Sequence, residues 1–145
     1  MTPHFSLEEF TQSDTAARLG IDNTLPADFY ANALKTCEML ERIRFHLNAP
    51  VIITSGYRCK ALNHAIGSKP TSDHTLAMAA DIKAPKAGSP SKIAKDLASV
   101  IDVLNIGQLI LEFGSWVHVS IARPDKAINR IITIDKTGVR AGIWQ

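Results

Sequence analysis

The most regular hydrophobic pattern in the chain is an apolar stripe with helical spacing between residues 27 and 47. Pro26 stands just before it, and proline is tolerated in the first turn of a helix, so we predict a helix from about Ala27 to Leu47. Its buried positions recur every three or four residues and are Phe29, Ala33, Cys37, Leu40, Ile43 and Leu47. A second stripe, after an N-cap serine and a first-turn proline, predicts a helix from Ser89 to about Leu104 with Ile93, Leu97, Val100 or Ile101, and Leu104 buried.

Shorter helices are predicted from capping and stop signals. Ser6 and Glu9 have the spacing of a capping box, which predicts a helix from Leu7 to about Thr11. The other short elements are a turn capped by residues 13–15 that ends at Gly20, and a helix from about Lys60 to Ile66 that Gly67 stops.

Strands are predicted where apolar residues are β-branched or alternate with polar residues. The short β-branched run Val51–Thr54 predicts a buried strand. Further strands are predicted at Met78–Lys83, Gln108–Phe113, Trp116–Ala122 and Arg130–Asp135, with a turn at 136–138 after the last. The second and third of these form a β-hairpin across Gly114-Ser115. Early helices followed by an antiparallel hairpin set predict an α+β fold.

Composition narrows the class of protein. The chain has 145 residues, of which 46% are hydrophobic, and this suits a single domain spanning residues 1–145. A net charge of +2 is too weak to predict a nucleic-acid partner. The first six residues have neither a basic nor an apolar region, and no apolar run is long enough to span a bilayer. We therefore expect a protein that is made in the cytoplasm without a signal peptide and does not insert into membranes. We also expect it to be a monomer. Cys37 and Cys59 lack CxxC spacing, so we expect two thiols, with a single disulfide as the alternative.

Candidate metal chemistry comes from two short stretches, residues 72–81 and 116–120. Alternation places His118 on the strand face opposite Val117 and Val119, away from the core. Asp81 lies in a strand of small residues, where a carboxylate is costly unless it is paired or coordinated, and His74 lies in the loop before it. Two imidazoles and a carboxylate are the ligand set of a catalytic zinc with one open position. Each residue alone also fits an ordinary structural role, and no HExxH motif is present.

Five sets of segments carry a family resemblance: residues 5–10 with 13–16, 20–24, 55–58 with Leu62-Asn63, Ser72-x-His74 through Ala79-Ala80-Asp81, and Trp116-Val117-His118-Val119-Ser120. On these segments the chain resembles the family of zinc D-alanyl-D-alanine peptidases, in particular its compact single-domain branch of bacterial cell-wall enzymes and phage lysis or tail-associated proteins. The resemblance implies that His74, Asp81 and His118 ligate one Zn²⁺ per chain. It implies the fold that these peptidases share with Hedgehog signalling domains, a small antiparallel sheet packed with helices around one zinc site. It also implies hydrolysis of peptide bonds next to D-alanine in peptidoglycan.

The general base departs from the family. Related branches place a Glu three residues before the last His ligand, or a His two residues before it. Here those positions hold Ser115 and Trp116. Glu112 is our candidate, with a surface carboxylate as the alternative interpretation. A two-residue hairpin turn would place Glu112 opposite His118, whereas a three-residue turn would place both on one face, and the sequence leaves this register open. Asp73 and His64 are alternative bases, each expected to be solvated.

Three further residues are candidates for substrate contact. The forked guanidinium of Arg58 suits a carboxylate or a developing oxyanion, and a structural salt bridge is the alternative. Ser72 is expected to hydrogen-bond within the site, and Trp116 to form a wall of the cleft.

Family members often have glycine at the position of Ala77, so this alanine would be strained if the backbone there needs a positive φ, although we expect it to be tolerated.

Two classes of function follow from these observations. The first is a zinc metallopeptidase of the endolysin or D-Ala-D-Ala carboxypeptidase type that acts on the cell wall, after phage-mediated release or as a virion component. The second is a cell-wall-binding or phage structural module with the same fold and little or no catalysis.

Overall fold

The computed structural model describes residues 1–144, in which helices pack against one six-stranded sheet. The α-helices are α1 (Leu7–Thr11), α2 (Asp14–Leu19), α3 (Tyr30–Leu47), α4 (Lys60–Ala65) and α5 (Pro90–Ser99). The strands are β1 (Ile52–Ser55), β2 (Ala79–Lys83), β3 (Gln108–Glu112), β4 (Trp116–Ser120), β5 (Arg130–Asp135) and β6 (Gly138–Ala141). Short 3₁₀ helices span Ala27–Phe29 and Asp73–Leu76. The predicted α+β class is confirmed.

The sheet is mixed, so the prediction of an antiparallel sheet is wrong for one pair of strands. The order is β1-β2-β4-β3-β5-β6, and β3 pairs with β5 in parallel while the other neighbours are antiparallel. A parallel pair needs a long connection, and residues 113–129, which include β4, supply it between β3 and β5. Strand β6 was not predicted, because it is only four residues long and begins at Gly138, which the sequence assigned to a turn; all four residues are exposed.

The core lies between α3, α5 and one face of the sheet. Leu109, Leu111, Val117 and Val119 point into it from β3 and β4, and the alternation predicted this face for the two valines. The predicted stripe of α3 is buried at Ala33, Cys37, Leu40 and Ile43. Helix α5 ends five residues before the predicted Leu104, because Val100 leaves the helical conformation, yet Ile101 and Leu104 remain buried in the turns that follow. No helix in residues 1–144 is both long enough and apolar enough to cross a bilayer.

Strand β1 lies at the edge of the sheet, so the prediction of a buried strand is wrong. It pairs only with β2, and Ile52 is 51% exposed. β-branched residues are favoured in edge strands as well as in buried ones, so composition alone did not separate the two cases. The edge position matters for the site, because the chain leaves β1 towards Arg58 at one side of the sheet.

The two cysteines are free thiols with different exposure. Cys37 is fully buried in α3, and burial raises the pKa of its thiol to about 12. Cys59 is half-buried and its Sγ accepts a hydrogen bond from the Leu62 N–H at the start of α4. We expect a thiol reagent to label one cysteine in the native protein and two after denaturation, measured by intact-mass spectrometry. Cys59→Ser keeps a capping acceptor and should abolish native labelling. Native labelling that persists in this variant would contradict the burial of Cys37.

Candidate metal centre

Three predicted ligands, His74, Asp81 and His118, come together on the sheet face opposite the core. Asp81 in β2 and His118 in β4 are direct cross-strand neighbours, and the 3₁₀ helix before β2 carries His74. The Nε2 atom of His74 lies 3.2 Å from Asp81 Oδ1 and 3.2 Å from His118 Nδ1. The third side of this triangle, from His118 Nδ1 to Asp81 Oδ1, is 3.1 Å. All three residues are at most 7% exposed, and no other such group of three was found in residues 1–144.

The spacing of these three atoms fits a tetrahedral zinc ion. Zinc–nitrogen and zinc–oxygen bonds of about 2.0–2.1 Å at tetrahedral angles separate the ligand atoms by about 3.3 Å. The observed triangle has sides of 3.1 to 3.2 Å. Three protein ligands leave a fourth position free, which is the arrangement of catalytic rather than structural zinc sites.

The ring of His74 is oriented by a backbone carbonyl. Its Nδ1 lies 2.7 Å from the carbonyl oxygen of Gly56, and a carbonyl only accepts, so Nδ1 carries the proton and donates. The lone pair of Nε2 is then directed at Asp81 and His118. Such outer partners fix the tautomer of metal-binding histidines. Sequence reasoning missed this contact, although the Ser55-Gly56 turn after β1 was the place to look for it.

The loop that holds His74 is tied to helix α3. Ser72 caps the 3₁₀ helix by accepting from the His74 N–H, and Ala77 ends it with φ +60°. Asn32 donates to the carbonyl of Leu76, and the hydroxyl of Thr36 donates to that of Ala77. The positive φ that was considered for Ala77 is therefore present. This left-handed conformation costs an alanine about 1–2 kcal/mol, and the hydrogen bonds from α3 help to stabilise the backbone in it.

The protonation states in the site suit a divalent cation. Burial lowers the pKa of His74, which keeps the imidazole neutral. Burial alone would raise the pKa of Asp81, but His74 and His118 outweigh it and hold that pKa well below its usual range. A neutral imidazole and an ionised carboxylate are the forms that bind a metal ion.

Glu112 lies beside the metal ligands, on the same face as His118. The hairpin has a three-residue connection, Phe113–Ser115, which pairs Glu112 with Trp116 and Ile110 with His118. A turn of three residues is the one that places Glu112 on the same face as His118, as its role as the candidate base requires. The carboxylate oxygen Oε1 of Glu112 lies 4.0 Å from Nδ1 of His118. Burial and, next, the negative charge of Asp81 raise the pKa of Glu112, which brings it closer to the range in which a carboxylate is an effective base.

Arg58 and Ser72 form a polar edge next to the triangle. The backbone N–H of Arg58 donates to the carbonyl of His74 at 3.1 Å, and its Nη2 donates to Ser72 Oγ at 3.3 Å. The Nε of Arg58 is buried and has no hydrogen-bond partner among the residues described. Arg58 is not part of an ion pair within residues 1–144, so the alternative of a structural salt bridge is wrong.

The site opens into a cleft of about 730 Å³. Trp116 lines this cleft as predicted, and its ring lies 5.9 Å from that of Phe113, centroid to centroid. Arg58 and Ser72 line it on one side of the triangle, and residues from β3, β5 and β6 line the other. The candidate ligands, base and substrate contacts thus share one solvent-accessible space.

The alternative bases differ from one another in the structure. His64 is exposed on α4, as expected. The expectation that Asp73 is solvated is wrong, because Asp73 is 4% exposed and accepts from Arg123 at 2.6 Å and Lys126 at 2.7 Å. Burial alone would raise the pKa of Asp73, but Lys126 and Arg123 lower it, so this carboxylate is an ion-pair partner rather than a base. The sequence did not predict these two ion pairs, because Arg123 and Lys126 lie about fifty residues from Asp73 in the chain.

We expect Asp73→Asn to destabilise the fold by about 1–3 kcal/mol, because it breaks two charge-assisted hydrogen bonds of a buried carboxylate. The measurement is urea denaturation of the metal-free protein. Asp125→Asn is the matched control, since Asp125 also pairs with Arg123 but is exposed, and it should leave the free energy of unfolding nearly unchanged because solvent screens the pair. Equal effects of the two substitutions would contradict a special role for Asp73.

Comparison with known proteins agrees with this site. A sequence model of the family described as peptidase M15 matches residues 3–120. These residues include the candidate ligands, Glu112 and Arg58, and they make up most of the chain. The chain belongs to the M15 family of zinc D-alanyl-D-alanine peptidases, which places it among metallopeptidases. No curated protein sequence matches the chain.

Proposed function

We propose that this protein is a zinc-dependent peptidase that hydrolyses peptide bonds next to D-alanine in peptidoglycan stem peptides or crosslinks. The observation that carries the proposal is the buried triangle of His74, Asp81 and His118, with Glu112 beside it in an open cleft. Membership of the M15 family supports it. We also propose that the chain has the fold shared by D-alanyl-D-alanine peptidases and Hedgehog domains. We further propose that it is a monomer that acts on the cell wall, as an endolysin or virion component.

In the proposed reaction, His74, Asp81 and His118 would hold one zinc ion. When bound, zinc polarises a peptide carbonyl and makes a nearby water molecule more acidic. Glu112 accepts a proton from the attacking water and then delivers it to the nitrogen of the leaving amine. Its raised pKa serves both steps, because the carboxylate must gain the proton and lose it again in each turnover.

Arg58 is proposed to hold the substrate on the β1 side of the cleft. Arg58 lines the cleft and is in no ion pair among the described residues, so its guanidinium can meet a substrate oxygen there. Ser72 accepts from Nη2 and thereby orients the guanidinium. A free terminal carboxylate at this position would favour carboxypeptidase activity, and a backbone carbonyl would favour cleavage within a crosslink.

The test is digestion of purified peptidoglycan, followed by mass spectrometry of the released muropeptides. We expect new amino groups and loss of D-alanine-containing crosslinks or termini, and expect a chelator or His118→Ala to abolish both. Terminal D-alanine release alone would identify a carboxypeptidase. Bound zinc without hydrolysis of any stem peptide would favour the alternative function, a cell-wall-binding or phage structural module.

A further inference from the structure

The cleft continues beyond the metal centre onto strands that lie outside residues 3–120, the part matched by the family. Ile110 is paired with His118 on one side and with Ile132 of β5 on the other. Glu112 is likewise paired with Trp116 and with Ile134 of β5. Paired residues point to the same face of a sheet, so β5 extends the face that carries the candidate ligands.

An apolar surface occupies this extension. We call Ile132, Ile134 and Val139 the β5–β6 strip; all three line the cleft, and Val139 is paired with Ile134. Ile134 is half-buried and Val139 is 61% exposed. The strip is therefore a continuous part of the cleft wall beside the candidate base, in which Ile132 is buried and Ile134 and Val139 are open to solvent.

A free cation lies at one end of the strip. Arg130 is in register with Gln108, two residues before Ile132, and lines the same cleft. Its guanidinium is exposed and is in no ion pair within the described chain. Lys126 nearby is neutralised by Asp73, so Arg130 is the cation at this end that remains available for an anionic group.

The distance from the β5–β6 strip to His118 can be expressed as a number of peptide residues. Neighbouring strands lie about 4.8 Å apart, so β5, two strands from β4, is about 10 Å from His118. An extended peptide advances about 3.4 Å per residue, so this distance corresponds to roughly three residues. Arg58 follows β1 at the opposite edge of the sheet, so the strip and Arg58 lie on opposite sides of the metal centre.

We propose that the β5–β6 strip and Arg130 form a substrate subsite that binds an aliphatic residue next to a carboxylate, about three residues from the scissile bond. This inference rests on the proposed function, because it takes a peptide as the ligand. The subsite holds the part of the peptide on the other side of the scissile bond from Arg58. It assigns substrate selection to residues 130–141, which the family match does not include.

The experiment measures binding by nuclear magnetic resonance titration of the zinc-loaded protein. The probes are the stem tetrapeptide L-Ala-γ-D-Glu-diaminopimelate-D-Ala and the same peptide with its internal carboxylates amidated. We expect amidation to weaken binding to the wild type about tenfold, since a charge-assisted hydrogen bond is lost. Arg130→Gln should weaken binding of the acidic peptide by a similar factor and remove the difference between the two peptides. Val139→Asp should weaken binding of both.

Lys136→Gln is the matched control, because it removes the same charge from the exposed β5–β6 turn outside the cleft and should leave both dissociation constants unchanged. Absence of binding to the wild type, equal binding of the two peptides, or an unchanged dissociation constant in Arg130→Gln would each overturn the subsite. Hydrolysis of peptidoglycan with binding that does not depend on Arg130 would refute the subsite alone. Arg130-dependent binding without hydrolysis of any stem peptide would refute the proposed function alone.

Discussion

Replacement of Glu112 by glutamine is expected to lower kcat on a stem peptide by about 10²–10⁴-fold while the protein still binds one zinc ion. Glutamine has nearly the same size and polarity but cannot accept the proton of the attacking water. Because Glu112 is 4.0 Å from Nδ1 of His118 rather than part of the ligand triangle, its loss removes a base and leaves the metal ligands in place. The measurements are steady-state hydrolysis and metal content by mass spectrometry.

Two variants sharpen this test. Ser115→Ala alters the position where related branches carry a glutamate. Within residues 1–144 the Ser115 hydroxyl donates to the carbonyl of Phe113 and makes no contact with the candidate ligands, so kcat should not change. Glu112→Asp keeps the charge but withdraws it by one methylene, and we expect partial activity. If Glu112→Gln retains more than about a third of the wild-type kcat, the base is a different residue.

The sequence predicted the faces of the strands better than their register. Alternation placed His118 opposite Val117 and Val119, and the structure has this arrangement. Whether Glu112 shares the face of His118 depended on the length of one turn. That turn contains Phe113 at φ +53° as well as Gly114 at φ +62°. A non-glycine residue in the left-handed region is uncommon, so local sequence preference did not reveal a three-residue turn.

Long-range contacts account for most of what the sequence did not predict. The ion pairs of Asp73 and the parallel pairing of β3 with β5 join segments separated by twenty or more residues. Periodicity reports which side of an element is apolar, but it carries no information about the partner of that element. The ligand triangle was predicted because His74, Asp81 and His118, each of which alone fits an ordinary structural role, together make a catalytic zinc set, and because the family resemblance implies the same three ligands.

Gly56 is the position where the packing of the fold and the orientation of a metal ligand depend on one backbone segment. A Cβ atom at this residue would lie 2.1 Å from the carbonyl oxygen of Phe10 in α1. That oxygen accepts a hydrogen bond from the Tyr57 N–H at 2.8 Å, so it cannot move away without breaking this bond. If Gly56 moves instead, its own carbonyl loses its position against Nδ1 of His74.

Gly56→Ala is therefore expected to destabilise the metal-free protein by about 3 kcal/mol and to weaken zinc binding by about 10–100-fold. The measurements are urea denaturation and zinc competition against a chromophoric chelator. Gly20→Ala is the control: Gly20 has φ +67° and open space around its Cβ position, so the variant should lose about 1–2 kcal/mol through backbone strain and keep its zinc affinity. Unchanged zinc affinity in folded Gly56→Ala would show that the carbonyl of Gly56 does not orient His74. The loss of stability acts through the contact with Phe10 in α1, and the loss of zinc affinity acts through the carbonyl that orients His74. A variant that shows both losses would therefore show that one backbone segment supports both the packing of α1 and the candidate metal centre.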